Sequence, residues 1–268
     1  MLDQIFARLL LLEWLVFAIL LIFLVGLSEL AWRMGLARSR KKSEAEKQSG
    51  TVKSAVLALL GLLLGFSFAL AAARHDARRE LVVQEANSIG TTARRAQLLP
   101  EPHGAKVAEL LREYISLRIQ AHREGQFSDR FIAARKRSAD LQDRIWAEAV
   151  AAAAERPSPV TVTFITSLNE TIDLEAKRVA AKRNHVPGVV WLLLLCVTGS
   201  GLWLVSYPAG ISGRSSIAER LVFPILLAIV IAIITDIDTP RGGLIAVDER
   251  PLLEINETLS RPSMQTTR

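Results

Sequence analysis

Apolar and polar residues are sorted along this chain into long blocks. Residues 9–27 are leucine, isoleucine, valine and phenylalanine with a single ionisable group, Glu13, and residues 55–73 carry no charge at all. A third block, 186–205, opens on Pro187, and a shorter fourth, 221–235, contains Pro224. A helix needs about 20 apolar residues to cross a bilayer. The pattern therefore predicts four transmembrane helices, at 5–32, 54–73, 187–207 and 215–235. A cleaved secretory signal is disfavoured at the first block. The start lacks a basic segment, the apolar run is too long, and no small-residue cleavage site follows it.

Between spans two and three, residues 74–186 are polar with helical periodicity. Val107, Leu110, Leu111, Tyr114 and Leu117 recur at three- and four-residue spacing, as do Ile165, Leu168, Ile172, Ala176 and Val179. Residues 139–154 are strong helix formers. Breaks fall at 99–104, at Gly125, and at Arg156-Pro-Ser-Pro159. The region reads as a helical soluble domain of about four helices, the first continuing out of span two. The predicted fold class is an all-α membrane protein, four transmembrane helices with a helical domain between spans two and three. Residues 33–53 read as a flexible basic loop. Residues 236–268 read as a C-terminal tail that opens on an acidic turn and then loses periodicity.

Composition changes this picture little. The chain has 268 residues, is 50% hydrophobic and 22% charged, and carries a formal charge of +6 with a pI near 9.8. Such averages resemble a soluble protein only because they mix apolar spans with polar segments; the mean hydropathy of +0.28 reflects the spans. The single cysteine, Cys196, lies inside span three and excludes a disulfide-stapled domain. The basic pI alone would suit nucleic acid or anionic lipid. The arginines and lysines, however, collect at the span boundaries, so the bilayer is the expected partner and nucleic acid is not. Four spans put both termini and residues 74–186 on one side. The positive-inside rule does not choose that side: loops 33–53 and 206–220 hold nine Lys and Arg, and the opposite flanks hold ten.

One stretch is more specific than any block. After Gly65-Phe66 at the end of span two come a few small residues, then Arg74-His75-Asp76-x-Arg78-Arg79, then Glu85-Ala86-Asn87. Further on stand Leu98-Leu99-Pro100, the Tyr114 helix, Asn169-Glu170 through Arg178 to Pro187 and Trp191, and Asp236-x-Asp-x-Pro-x-Gly-Gly243. In order and spacing these pieces resemble the bestrophin-like family of bacterial membrane proteins, itself distantly similar to the bestrophin anion channels. The resemblance covers most of residues 55–255. It implies a homo-oligomer, pentameric in bestrophins, in a bacterial plasma membrane, with span two around an anion pore and the helical domain and termini in the cytoplasm. Two departures stand out. Arg241 replaces a phenylalanine frequent after the turn proline. The dense acidic cluster by which bestrophins bind calcium is reduced to Asp236 and Asp238, with Asp248 and Glu249 further on, so calcium gating does not carry over.

The candidate sites each admit two readings. Ala58, Gly61, Gly65, Ala69 and Ala72 form a small-residue stripe, and Gly61 and Gly65 are a G-x-x-x-G pair that permits close helix approach. The stripe serves helix packing, or it places span two around a pore with Phe66 and Phe68 as constriction candidates. Arg74, Arg78, Arg79, Glu85 and Asn87 form either an anion-concentrating pore mouth or a structural cluster. In the structural reading the arginines meet lipid headgroups, and Glu85 neutralises an arginine such as Arg118 or Arg178. Arg78, Val82, Glu85 and Ile89 share one helical stripe. The turn Asp236, Asp238, Pro240, Gly243 has tight-turn chemistry; it lacks the ligand set of an EF-hand. Glu13 and Glu29 are carboxylates in or near span one. The four histidines, His75, His103, His122 and His185, have no metal-ligand spacing. No catalytic motif, cofactor loop or metal site is expected, and the chain does not read as an enzyme. A non-conducting membrane scaffold or sensor, docking a partner through its helical domain, is the alternative to a channel.

Overall fold

A computed structural model describes residues 2–38, 46–124, 128–213, 217–239 and 245–261, with side chains described from residue 14 onward except at 46–49, 218 and 219. Every regular element among them is helical: α1 Leu2–Arg38, α2 Glu46–Ala96, α3 His103–Arg123, α4 Asp129–Glu155, α5 Pro159–Arg183, α6 Gly188–Ser212, α7 Ile217–Asp238 and α8 Arg250–Ser260. Four stretches are long and apolar enough to cross a membrane: Trp14–Arg38, Gly50–Ala96, Pro159–Ser212 and Arg220–Asp238. The third takes in both α5 and α6, with its apolar part in α6. The chain is an all-α membrane protein.

Two compact units divide it: Met1–His75 with His185–Ala246, and Asp76–Asn184 with Val247–Arg268. In the first, α1, the start of α2, α6 and α7 meet around Leu24, Leu60, Leu194, Leu202, Leu227 and Ile231. The closest approach is between α1 and α6. A Cβ built on Gly35 would collide with the Tyr207 carbonyl oxygen, and one on Gly210 with that of Trp32. The absence of both side chains lets the two backbones touch, the usual route to tight packing where lipid supplies no hydrophobic drive. Beside this crossing the Ser28 and Ser206 hydroxyls bond at 2.9 Å.

The second unit has one main core, built on α2 (Val82, Ile89), α3 (Leu111, Tyr114, Ile115), α4 (Leu141, Ile145) and α5 (Phe164, Leu168). Its helix starts follow local rules. Ser128 accepts from Phe131 N at 3.1 Å at the α4 N-cap. Ser158 and Thr161 form a capping box ahead of α5, with Pro159 in its first turn.

Three expectations need correction. The stretch 33–53 is helical at both ends, since α1 runs to Arg38 and α2 begins at Glu46. The α1–α6 crossing at Gly35 holds the helix beyond its apolar run. Residues 250–260 of the tail form α8, whose Leu252 is fully buried, with Leu253, Ile255 and Leu259 packed on the second core. Eleven residues are too few for a stable isolated helix, so docking supplies the stability. Asp236 and Asp238 lie in the last turn of α7 and not in a turn after it; Pro240 and Gly243 lie outside the described residues.

Candidate functional site

On α2, the face that Leu60, Ser67 and Ala71 bury within the first unit leaves the other faces open. Nothing lies within 4 Å of a Cβ built on Gly61 or Gly65. The small-residue stripe thus has no partner helix among the described residues at those two positions. Phe66 is 64% exposed and Phe68 45%. In a continuous α-helix, residues two apart point about 200° from one another, so the two rings cannot face one axis. Phe66 shares its stripe with Leu59, Leu62 and Leu70, all exposed.

The charge cluster divides. Glu85 is fully buried, and its carboxylate accepts from Arg118 Nε at 2.7 Å and from Arg178 Nη1. Arg118 Nη1 also donates to Glu175 Oε1 at 2.9 Å. The Tyr114 hydroxyl donates to Glu175 Oε2 at 3.0 Å, and Gln142 Nε2 donates to the Tyr114 oxygen at 3.2 Å. Burial pushes the Tyr114 phenol well above its ordinary range. Arg178 Nη2 reaches His122 Nδ1 at 2.8 Å, while His122 Nε2 lies 3.2 Å from the Val247 carbonyl oxygen. A guanidinium only donates; Nδ1 is therefore the acceptor, and Nε2–H donates to Val247. Two carboxylates and two guanidiniums thus tie α2, α3 and α5 with no net charge, and His122 extends the network to the chain leading into α8.

The other members of the sequence cluster lie elsewhere. Arg78 is buried on the stripe it shares with Val82, Glu85 and Ile89; Arg79 and Asn87 are exposed. In the first unit, Arg74 Nη1 is 3.9 Å from Asp238 Oδ1. The buried Asp238 carboxylate accepts from Val186 N at 2.9 and 3.2 Å, fastening the α5–α6 linker to the end of α7. Asp236 Oδ2 accepts from Ile245 N at 3.1 Å. Glu29 pairs with Arg33 and Arg220. Glu13 lies outside the described side chains.

Glu175, Gln142 and the hydroxyl set Ser88–Thr171–Thr92 (2.8 and 3.0 Å) were not legible as functional or structural sites. The apolar positions of α5 pointed to a stripe through Ile165, Leu168, Ile172, Ala176 and Val179. Of these, Leu168 and Val179 are buried, Ile165 and Ile172 are half-buried and Ala176 is exposed. The buried face also takes in the adjoining line Phe164, Ser167, Thr171, Glu175 and Arg178, which is mostly polar. Polar residues occupy a buried face when they satisfy one another, and apolar periodicity does not register that.

Bilayer-length helices and a helical unit clamped by a buried, charge-neutral network define a multi-pass integral membrane protein. A bestrophin-like domain matches residues 20–252, and the chain belongs to the bestrophin-like family. Among solved structures it is similar to a point variant of a bacterial bestrophin homologue from Klebsiella pneumoniae, with a TM-score of 0.65 and 15% identity over 89% of this chain and 97% of that one. A second structure of a bacterial bestrophin homologue from Klebsiella pneumoniae gives 0.62 and 16% over 90% and 98%. A structure described as a membrane protein variant gives 0.65 and 14% over 91% and 97%. At such identities the likeness shows the fold. No curated protein is significantly similar in sequence.

Proposed function

We propose that this chain is one subunit of a homo-oligomeric anion channel, pentameric as in bestrophins, with α2 lining the conducting path. The plasma membrane of a bacterium is the proposed location, with the second unit and both termini in the cytoplasm. The observation that carries the reading is the open small-residue face of α2 at Gly61 and Gly65. Lipid gains nothing from such a face, whereas a helix from a neighbouring copy packs closely on it. With that face between subunits, the adjoining stripe of Leu62, Phe66 and Leu70 turns toward the axis, where a ring of apolar side chains gates by dewetting. Family membership supports the oligomer. The exposed Arg79 and the basic charge balance favour anions.

Chloride flux into liposomes containing the purified protein tests the proposal. Phe66→Ala is expected to change conductance several-fold and Phe68→Ala to leave it near the parent value. Absence of flux at every pH and calcium level tried, or equal responses of the two variants, would sink the pore assignment.

A further inference from the structure

Arg220, at the start of the fourth span, lies over the ring of Trp32, its guanidinium carbon 3.8 Å from the ring centroid. Its Nη1 donates to Glu29 Oε2 at 3.1 Å, and Arg33 Nε donates to Glu29 Oε1 at 2.8 Å. One carboxylate thus serves two arginines, and the group keeps a net positive charge. Two N–H groups of the stacked pair, Arg220 Nε and Trp32 Nε1, are buried and have no acceptor among the described residues. Buried donors without acceptors are uncommon and costly. Here both belong to one small patch, one of them is charged, and the Arg220 side chain remains 15% exposed, so the patch reaches the protein surface.

The level in the membrane fits. Trp32 and Tyr207 flank the Gly35–Gly210 crossing, and Trp203 stacks on Tyr207 with centroids 6.0 Å apart. Tryptophan and tyrosine gather where the hydrocarbon gives way to headgroups. A ligand at this level that satisfies two donors on a cationic patch needs negative charge and more than one acceptor oxygen.

We infer that Arg220 and Trp32 form a binding site for a phosphate group, that of an anionic phospholipid headgroup. One phosphate oxygen accepts from Arg220 Nε and a second from the indole N–H. The Trp32 ring and Glu29 hold the guanidinium plane in place, which suits arginine to phosphate geometry. The site is independent of any conducting role for α2.

The test titrates the full-length, delipidated protein in detergent with phosphatidylglycerol and counts bound lipid by native mass spectrometry. One tightly held lipid per chain is expected. Trp32→Phe keeps the ring face and removes the donor; Arg220→Lys keeps the charge and removes Nε. Each is expected to weaken binding roughly tenfold, whereas Arg33→Gln stays within about twofold. Failure of millimolar inorganic phosphate to displace the lipid supports the headgroup as the source. Displacement would keep the phosphate chemistry and overturn the lipid assignment. Unchanged affinity in both variants, or an equal loss in Arg33→Gln, would overturn the site. Circular dichroism checks folding, and if Arg220→Lys does not fold, Trp32→Phe decides alone.

Discussion

Glu85 sits at the centre of the second unit's electrostatics, with two guanidiniums on one fully buried carboxylate. Removing one partner from a buried ion network leaves the others charged and unpaired, which costs about 3–5 kcal/mol. Glu85→Gln is therefore expected to lower the unfolding free energy of that unit by this order, read from denaturant unfolding in detergent. A loss below about 1 kcal/mol would mean that Arg118 and Arg178 find other acceptors. Two surface carboxylates contribute to the acid response. The His103 ring N–H, 2.6 Å from Glu148, holds that carboxyl below the usual carboxylate range, and Arg123 does the same for Glu249. A folded-state pKa below the unfolded one stabilises the protein above the unfolded value. That contribution is lost as pH falls from about 4.5 through the lowered folded value. Because both groups are partly exposed, each is worth a fraction of a kcal/mol. The melting temperature should be insensitive to these groups between neutrality and about pH 5 and fall below it. The double variant Glu148→Gln, Glu249→Gln should flatten that fall; an unaltered acid limb would argue against the assignment.

At the scale of elements, the tightest constraint is the α1–α6 crossing. In an open helix position, Gly→Ala is worth up to about 1 kcal/mol in favour of alanine. At Gly35 the added methyl meets the Tyr207 carbonyl oxygen, and backbone cannot step aside. Gly35→Ala is expected to destabilise by about 1–3 kcal/mol as the helices are forced apart. Gly26→Ala, with nothing within 4 Å, is the matched control and should be neutral or slightly stabilising. Thermal unfolding in micelles compares the two, and equal melting temperatures would contradict the close crossing. Much of the element plan was legible beforehand. The α3 stripe through Val107, Leu110, Leu111, Tyr114 and Leu117 is the buried one, because that face is almost wholly apolar. On α5 the predicted stripe reached the core at Leu168 and Val179. The polar line beside it was missed, because Thr171, Glu175 and Arg178 are buried through partners on α2 and α3, invisible to a window along α5. The spacing of Leu252, Ile255 and Leu259 was a helical signal for α8, too short to stand out without the core it covers.

For the whole molecule, membership of the bestrophin-like family and the shared fold set the frame, and assembly and orientation are what experiment adds. Reporter fusions at residues 45 and 130 should place 130 in the cytoplasm and 45 outside it; the reverse would invert the proposed topology. A projection image of the purified protein should show five-fold symmetry around a central opening. A monomer, or a dimer without one, would leave the scaffold reading.

What this sequence determined by itself was the number of spans and the all-α class. Both depend on the length and purity of apolar runs, a property of neighbouring residues that no distant contact can reverse. The motif around Arg74 to Asn87 also carried the family, because residue identity and spacing survive without coordinates. Only the tertiary structure decided which charges are buried together. Glu85, Arg118 and Arg178 lie far apart in sequence, and Glu85 is tolerated inside the protein only because both arginines arrive. It alone also showed that the Gly61 and Gly65 face has no partner among the described residues whereas Gly35 and Gly210 have each other. The sequence marks Gly61 and Gly65 as a close-approach pair and leaves Gly35 and Gly210 outside the predicted spans; which of them meets another backbone is set by how the helices cross.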